Sequence, residues 1–473
     1  MAMGRERAGQ EDFWVPTWRL ASAPGHVFYE KLNAVLASHG FDAFVEERCA
    51  RFYAERMGRP SVPPAVYFRM LLVGYFEGID SERGIAWRCA DSLSLRRFLG
   101  YPLDKRTPDH STVSRTRRLI DEATHREVFT FVLKILGERG LLDGKTIGVD
   151  ATTLEANAAL RSIVRRDTGE GYEEYLKGLA KAQGIEEPTR EDLAKLDRAR
   201  PKKGSNEEWQ HPHDPEARIT KMKDGRTHLA HKLEHGVDLG GSGAIVGVTI
   251  QGADVGDTTT VYGTLEETGD QLLSVSEDLE DLGVCRERMT EVVLDKGYHS
   301  NQALVDLKAM GIRTYVSEPR RGRRRWKQKG EDLSLERSVV YANRRRIRGE
   351  RGKRLLRKRG ELLERPFAHC LETGAMRRVH LRGRSNILKR VLVHVAGFNL
   401  GLAMRAMLGV GTPRALGSLC ALLSLLLAWL RPLQRPEGRS DRVRATVSAL
   451  IRKVGRGLSG MASPAEPIST TGC

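Results

Sequence analysis

Two short apolar runs each end in an aspartate, and these runs constrain the fold more than any other feature of the chain. Asp150 closes the run at 146–149, and Asp295 closes the run at 292–294. A carboxylate at the end of a buried strand is costly unless a cation or hydrogen bonds compensate it. Two such strand ends favour a site for divalent cations, since these ions prefer clustered carboxylate oxygens.

The order of strands and helices indicates how these aspartates meet. Strands are expected at 145–150, 227–238, 244–251, 291–295 and 312–317, and helices at 260–282 and 301–310. The first three strands suit an antiparallel meander, whereas strands separated by helices join a sheet in parallel by crossover. The sequence therefore predicts an α/β fold, with a mixed sheet flanked by helices, in which the first and fourth strands are neighbours.

A third carboxylate is expected from a helix that packs over the same sheet edge. The candidates are Glu361 and Glu364, which share a helix face only roughly because they are three residues apart. Pro366 disfavours an uninterrupted helix at this point. Three carboxylates suffice to hold two Mg²⁺ ions, since this cation keeps several waters and accepts substrate phosphate as a ligand.

Residues 28–140 show apolar residues at helical spacing and predict an N-terminal helical domain. Thr107 followed by Pro108 suits the cap and first position of a helix. That helix carries small hydroxyl residues and three arginines, a combination that favours contact with phosphate or insertion into a DNA groove. The three are Arg115, Arg117 and Arg118.

Positive charge is concentrated in one segment. The chain has 473 residues and a formal net charge of +17, and the segment 320–359 holds 18 Lys and Arg against four Asp and Glu. Such a field attracts a polyanion, most commonly nucleic acid. Arg323, Arg324 and Arg325 are predicted to bind phosphates, and Trp326 beside them either stacks on a base or packs in the core.

The remaining features set the domain division and the compartment. The six cysteines form no Cys-x-x-Cys pair and the N-terminus shows no signal-peptide pattern, which together indicate a cytoplasmic protein without structural zinc. An uncharged apolar run at 415–430 is too short to span a bilayer and predicts a buried or oligomer-forming helix. The expected domains are 1–140 and 141–405, with a charged insertion at 161–218, followed by a helical tail at 406–473 whose end, from 462, is expected to be disordered.

The chain resembles the DDE transposases of bacterial insertion sequences over roughly residues 28–405. The resemblance is carried by TPDHSTVSR at 107–115, GVDATTLEANA at 148–158, RTHLAHK at 226–232, GADVGDT at 252–258, LDKGYHS at 294–300 and ERPFAH at 364–369. It implies an RNase H-like catalytic fold with Asp150, Asp295 and Glu364 as catalytic and metal-binding triad. Gly360 and Leu371 depart from the family pattern around the third carboxylate, so that Glu361 stays open as its alternative.

The resemblance also implies partners and an activity. Such an enzyme binds the terminal inverted repeats of its own element, cuts them with Mg²⁺ or Mn²⁺, and transfers the strands into target DNA. We expect a homodimer on double-stranded DNA in the bacterial cytoplasm, associated with the nucleoid and without membrane contact. Lys296, Tyr298 and Arg359, close to the carboxylates, are expected to contact DNA.

Two alternatives stay open. A metal-dependent nuclease or resolvase on the same fold uses the same carboxylates, and a non-catalytic DNA-binding derivative is the alternative outside enzymes. His228, His231 and His235 do not share one strand face, so a structural role is expected for them. Asp254 and Asp257 lie in a glycine-containing turn, where they are expected to support the site at most indirectly.

Overall fold

The computed structural model describes residues 25–54, 61–200, 204–222, 225–278, 289–320, 326 and 333–417. Three features predicted from the sequence lie outside these residues. They are the arginines Arg323, Arg324 and Arg325, the apolar run at 415–430 beyond residue 417, and the tail from 462 onward.

The N-terminal region is helical, as the spacing of its apolar residues predicts. Its helices are α1 (Val27–Ser38), α2 (Phe41–Cys49), α3 (Pro64–Glu77), α4 (Glu82–Asp91), α5 (Leu93–Phe98), α6 (His110–Leu119) and α7 (Glu122–Glu138). Side-chain caps fix the starts of several of these helices. Ser81 accepts a hydrogen bond from the backbone N–H of Gly84 at the start of α4, and Asp121 accepts one from Thr124 at the start of α7. Helix α3 is buried on all sides in the middle of this region.

The predicted start of the arginine-bearing helix is wrong by two residues. Helix α6 begins at His110, and Asp109 is its cap in place of Thr107. The Asp109 carboxylate accepts the backbone N–H of Thr112 at 2.8 Å and the hydroxyl of Ser111 at 2.8 Å. These hydrogen bonds, that from Thr112 first, lower the pKa of Asp109 to about 2. Asp109 directly precedes the first turn of α6, so its charged carboxylate satisfies the backbone N–H groups of that turn better than Thr107, two residues earlier, could.

A mixed sheet follows the N-terminal helices. Its strands are β1 (Thr146–Glu155), β4 (Arg218–Lys221), β5 (Thr227–Asp238), β6 (Ile245–Gly252), β7 (Glu291–Leu294) and β8 (Arg313–Val316), and the short strands β2 (Val164–Arg165) and β3 (Trp209–Gln210) pair separately. Strand β5 pairs antiparallel with β1 on one side and with β6 and β4 on the other. Strands β1, β7 and β8 pair in parallel in that order. The predicted meander with parallel additions is therefore confirmed, while β4 was not foreseen.

Helices cover both faces of this sheet. They are α10 (Asp257–Asp278), α11 (Asn301–Ala309), α12 (Ser334–Arg348), α13 (Glu350–Phe367) and α14 (Arg384–Leu408). Glu234 and Gly236 of β5 face α10, whereas His235 between them faces α13. Because strand side chains alternate, Asp150, which is directly opposite His235, belongs to the α13 face.

Helix α14 joins the N-terminal helices to the sheet. It packs on α3, α7 and β6, and the amide of Asn399 bonds both the N–H and the C=O of Ile245 on β6. Among the described residues, Arg384–Gly417 is long and apolar enough to cross a membrane, and 78% of its apolar window is buried inside the protein. Burial of this kind is typical of a core helix.

The insertion has small cores of its own. Helices α8 (Tyr172–Ala182) and α9 (Arg190–Ala199) pack through Leu176, Ala180 and Leu193. Trp209 on β3 centres a second small cluster nearby. The outer surfaces of α8 and α9 are exposed, as the mixed charges of this insertion predict.

Candidate active site

The two predicted aspartates come together at one place in the sheet. In the parallel pair of β1 and β7, Val149 is opposite Leu294, and Asp150 and Asp295 are the next residues of the two chains. Strand β1 does not end at Asp150 as predicted, because β5 pairs with it as far as Glu155. The site is therefore open on the side of β7, which ends at Leu294. On the other side it is bordered by β1, which continues to Glu155.

A partly buried arginine lies between these carboxylates. Nη2 of Arg359 is 3.2 Å from Oδ2 of Asp150, and its Nη1 is 3.9 Å from Oδ1 of Asp295. The Arg359 side chain is 16% exposed, against 28% for Asp150 and 45% for Asp295. Arg359, predicted as a DNA contact, thus supplies the positive charge that holds the two aspartates close.

The third carboxylate does not join the first two. Glu361 and Glu364 are both exposed on α13, and no group of three His, Cys, Asp or Glu in the described part of the chain is placed to hold a metal ion. Arg359, Leu363 and Phe367 follow one another at four-residue intervals and form the face of α13 toward the sheet. Glu361 and Glu364 belong to other faces of the helix.

The end of α13 differs from the prediction. The helix continues through Pro366 to Phe367 and then widens into a π-helix at Ala368–Thr373. Proline removes one backbone donor from a helix, and a wider turn is a common way of accommodating such a defect. The interruption expected at Pro366 therefore takes the form of a change in helical type rather than a break.

Two residues predicted to contact DNA are buried in the structure, where their side chains bind other groups of the protein. Tyr298 is 2% exposed and donates its hydroxyl to Glu234 at 3.1 Å. Arg117 is 5% exposed, and its guanidinium bonds Glu82 at 2.8 Å and Asn386 at 2.6 Å. Arg117 thus fastens α6 to α4 and α14 in the interior.

Other predicted DNA contacts do lie at the surface. Arg115 and Arg118 are exposed on α6, and Lys296 is exposed directly after Asp295. Trp326 is partly buried against the main core, with its ring centroid 6.1 Å from that of Tyr341. This position favours the packing role over base stacking for Trp326.

Two groups of side chains can be distinguished among the described residues of the basic segment. Arg346 bonds the carbonyl of Thr314 at 2.9 Å and Arg351 bonds Glu291 at 2.6 Å, so these two attach the helices to the sheet, while Arg344 bonds Glu318 at 2.6 Å, just beyond β8. A second group is exposed on the outer surfaces of α12 and α13. It consists of Arg345, Arg348, Lys353, Arg354 and Arg357.

Two of the three histidines on β5 are buried in the interior, whereas His228 is partly exposed, 3.9 Å from Glu155. His235 is 1% exposed and stacks on Phe367 at 4.5 Å between ring centroids. Burial lowers the pKa of His235 to about 3, so its ring is neutral at physiological pH. His231 is fully buried, 3.1 Å from Asp214 of the insertion.

Sequence reasoning missed a buried polar network beneath the aspartates. It contains Lys232 and Glu234 on β5, Asp257, Thr260 and Thr264 on α10, and Tyr298. The sequence does show two charged residues, Lys232 and Glu234, at alternate positions of a strand that is predicted to be central. Charged residues at alternate positions usually mark the solvent-exposed face of a strand, so this pattern did not indicate burial.

Comparison with known protein families gives a match in the helical N-terminal region. Residues 19–119 match the family described as Transposase domain (DUF772). The search of curated proteins found no match. The matched stretch includes α1 to α6, and it supports a transposase of the insertion-sequence type, an enzyme class that cuts and transfers DNA.

Proposed function

We propose that this transposase works as a DDE enzyme, which binds the inverted repeats of its own element and uses Asp150 and Asp295 to cut and join DNA with divalent metal ions. The match at residues 19–119 supplies the premise of transposition. The observation that carries the proposal further is the meeting of Asp150 and Asp295 at adjacent positions of two parallel strands.

The sheet topology supports an RNase H-like catalytic region. Three strands pair antiparallel in the order β6, β5, β1, and two more are added in parallel as β7 and β8. The carboxylates of this site come from the central strand β1 and from the end of its parallel neighbour β7. That is the arrangement that the resemblance to DDE enzymes implies.

The donor set fits a divalent cation. Asp150 and Asp295 offer hard oxygen ligands on either side of a single positive charge, the guanidinium of Arg359. Mg²⁺ binds through one or two carboxylates plus substrate phosphate, so the pair suffices to begin a site. We propose Glu364 as the residue that completes it, with Glu361 as the alternative. A divalent cation held by these carboxylates would supply the charge that activates a water or a 3′-hydroxyl and that stabilises a leaving oxygen.

The residues of the chain itself divide the remaining work. Arg359 balances the charge of the two aspartates, and its guanidinium is suited to bind a DNA phosphate next to them. The exposed cations of α12 and α13 extend from this site and suit the sequence-independent binding of phosphates. Arg115 and Arg118 on α6 are proposed to recognise the element ends. Joining two ends requires two active sites, so a homodimer on DNA is part of the proposal.

Replacing the aspartates tests the proposal. Asp150→Asn and Asp295→Asn should each abolish Mg²⁺-dependent cleavage of end DNA while DNA binding stays close to wild type, because a metal ligand and not a phosphate contact is lost. Asp270→Asn, a change of the same kind on the exposed side of α10, is the control. Wild-type cleavage by either active-site variant would overturn the assignment. Strand-transfer products with the wild type separate transposition from simple hydrolysis.

A further inference from the structure

A fully buried carboxylate lies on the sheet face opposite the aspartates. Glu234 is 0% exposed, and three hydroxyl groups donate to it. Thr260 and Tyr298 reach Oε1 at 2.5 and 3.1 Å, and Thr264 reaches Oε2 at 2.6 Å. Three donors around one carboxylate satisfy the hydrogen-bonding capacity that its burial would otherwise leave unmet.

A buried lysine completes the charge balance. Nζ of Lys232 is 3.3 Å from Glu234 and 2.5 Å from Asp257, and it also donates to the hydroxyl of Thr260 at 2.8 Å. Lys232 is 5% exposed. Well-packed apolar residues often stabilise a core as well as such ionic groups do, so stability alone is a weak reason for the network.

The network is attached to the residues that follow Asp295. Asp295 directly precedes the 3₁₀ turn Lys296–Tyr298. Tyr298 in that turn donates to Glu234, and an ideal Cβ on Gly297 would lie 2.6 Å from Oδ2 of Asp257. Tyr298 is thus attached to the network by a hydrogen bond, and Gly297 lies so close to the Asp257 carboxylate that a side chain at position 297 would require Asp257 to shift.

We infer that Lys232, Glu234 and Asp257 are positioning residues that hold the turn Lys296–Tyr298 and thereby fix the Asp295 carboxylate for metal binding. The inference rests on the proposed function. It explains the position of one proposed metal ligand, Asp295, by the buried network behind it. The network reaches Asp295 through the backbone and needs no contact with DNA. The expected consequence of loosening it is a weaker metal site in an otherwise folded protein.

The hydroxyl of Tyr298 is the most selective place to test this. Tyr298→Phe removes one hydrogen bond to Glu234 and keeps the ring. Mn²⁺ binding is measured on the full chain with end DNA, by electron paramagnetic resonance of the free ion, together with the Mn²⁺ concentration that gives half-maximal cleavage. We expect both to shift by about 10-fold or more toward weaker binding, with partial recovery of the cleavage rate at high Mn²⁺.

Tyr262→Phe is the matched control. Tyr262 also donates its hydroxyl to a carboxylate, that of Asp306 at 2.7 Å, but it joins α10 to α11 and not to the turn. This variant should keep the wild-type Mn²⁺ dependence. Thermal melting of both variants shows whether each is folded.

A second variant covers the case in which Tyr298→Phe fails to fold. Asp257→Asn removes the charge that faces Lys232 at a side chain that is 39% exposed, and it should also weaken Mn²⁺ binding. A folded variant at either position with the wild-type Mn²⁺ dependence overturns the inference, even if its melting temperature falls. Absence of Mn²⁺ binding and cleavage in the wild type is a different result, which overturns the proposed function and the inference with it.

Discussion

Nη2 of Arg359 lies 3.2 Å from Oδ2 of Asp150, although 209 residues separate them in the chain. The contact joins α13 to the central strand β1 at the place where Asp295 also approaches. One arginine thereby offsets the repulsion between two carboxylates that the fold brings together.

Removing this arginine should make the fold depend on divalent ions. With EDTA, Arg359→Gln removes the guanidinium that lies between the two carboxylates, and the loss of stability should be about 1 kcal/mol for a partly exposed pair. Mn²⁺ should raise the melting temperature of this variant more than that of the wild type. Arg354→Gln, an exposed change on the same helix, is the control. An equal Mn²⁺ effect on Arg359→Gln and wild type would contradict the prediction.

The arginines of α6 should separate into structural and DNA-binding residues. Arg117→Ala leaves Glu82 without its partner in a largely buried pair and should cost about 3–5 kcal/mol of stability. Arg115→Gln with Arg118→Gln should keep the melting temperature and weaken binding to end DNA. Chemical denaturation and DNA titration on each variant measure these effects. Normal stability of Arg117→Ala would show that the pair contributes little.

The two glutamates of α13 give a direct test of the third carboxylate. Glu364→Gln should be as inactive as the aspartate variants, whereas Glu361→Gln should cleave end DNA at close to the wild-type rate. Both side chains are exposed, so neither change should disturb folding, and the comparison reports on activity alone. The reverse order of activities would move the assignment to Glu361.

The exposed cations of α12 and α13 should determine the salt dependence of DNA binding. Neutralising Arg345, Arg348 and Arg354 together to Gln should weaken binding to all DNA and lower the slope against log salt by about three, near one per lost phosphate contact. The same loss of charge on α9, at Arg190, Lys195 and Arg198, is the control and should leave the slope unchanged. Equal slopes for the two triple variants would place DNA elsewhere.

Buried histidines should make the fold sensitive to acid. Burial lowers the pKa of His235 to about 3, whereas an unfolded histidine titrates near 6.5. Below about pH 6.5 the unfolded chain therefore takes up a proton that the folded chain does not, and stability falls as the pH falls. Each such group contributes about 1.4 kcal/mol per pH unit in that window.

Denaturation of His235→Leu between pH 4 and 6.5 tests this contribution. The slope of stability against pH should be smaller than in the wild type, by the share of one histidine. His110→Gln, on the exposed side of α6, should keep the wild-type slope. A slope unchanged by His235→Leu would show that this ring takes up its proton in the folded state.

The strands and their order could be predicted because each pattern is local. Apolar or alternating runs locate β1, β5, β6 and β7, and a mixed sheet with this order of elements allows β1 and β7 to be neighbours, as the structure has them. The partner of Arg359 could not be predicted, because only the packed fold brings α13 to that edge. For the same reason, the residues next to Arg117 and Tyr298 in the sequence do not indicate that these two side chains are buried.

Two other features were missed for different reasons. Helix α14 is apolar nearly all round, which is the pattern of a helix buried in a core and could have been recognised from composition. Lys232 and Glu234 gave the opposite signal, since charges at alternate strand positions ordinarily face water. Their burial depends on the hydroxyl groups of α10, which no local pattern connects to β5.

The attachment of α14 to both α6 and the sheet has a consequence for where an element end is cut. Asn386 bonds Arg117 of α6, while Asn399 bonds Ile245 of the sheet, so one continuous helix spans from the proposed recognition helix to the catalytic sheet. On the proposed function, α14 sets the distance between the DNA sequence bound at α6 and the aspartates that cut it. Base pairs added between the recognised sequence and the natural cleavage position should therefore leave the cut at the original distance from the recognised sequence. The cut should then be displaced from the natural cleavage position by the number of base pairs added.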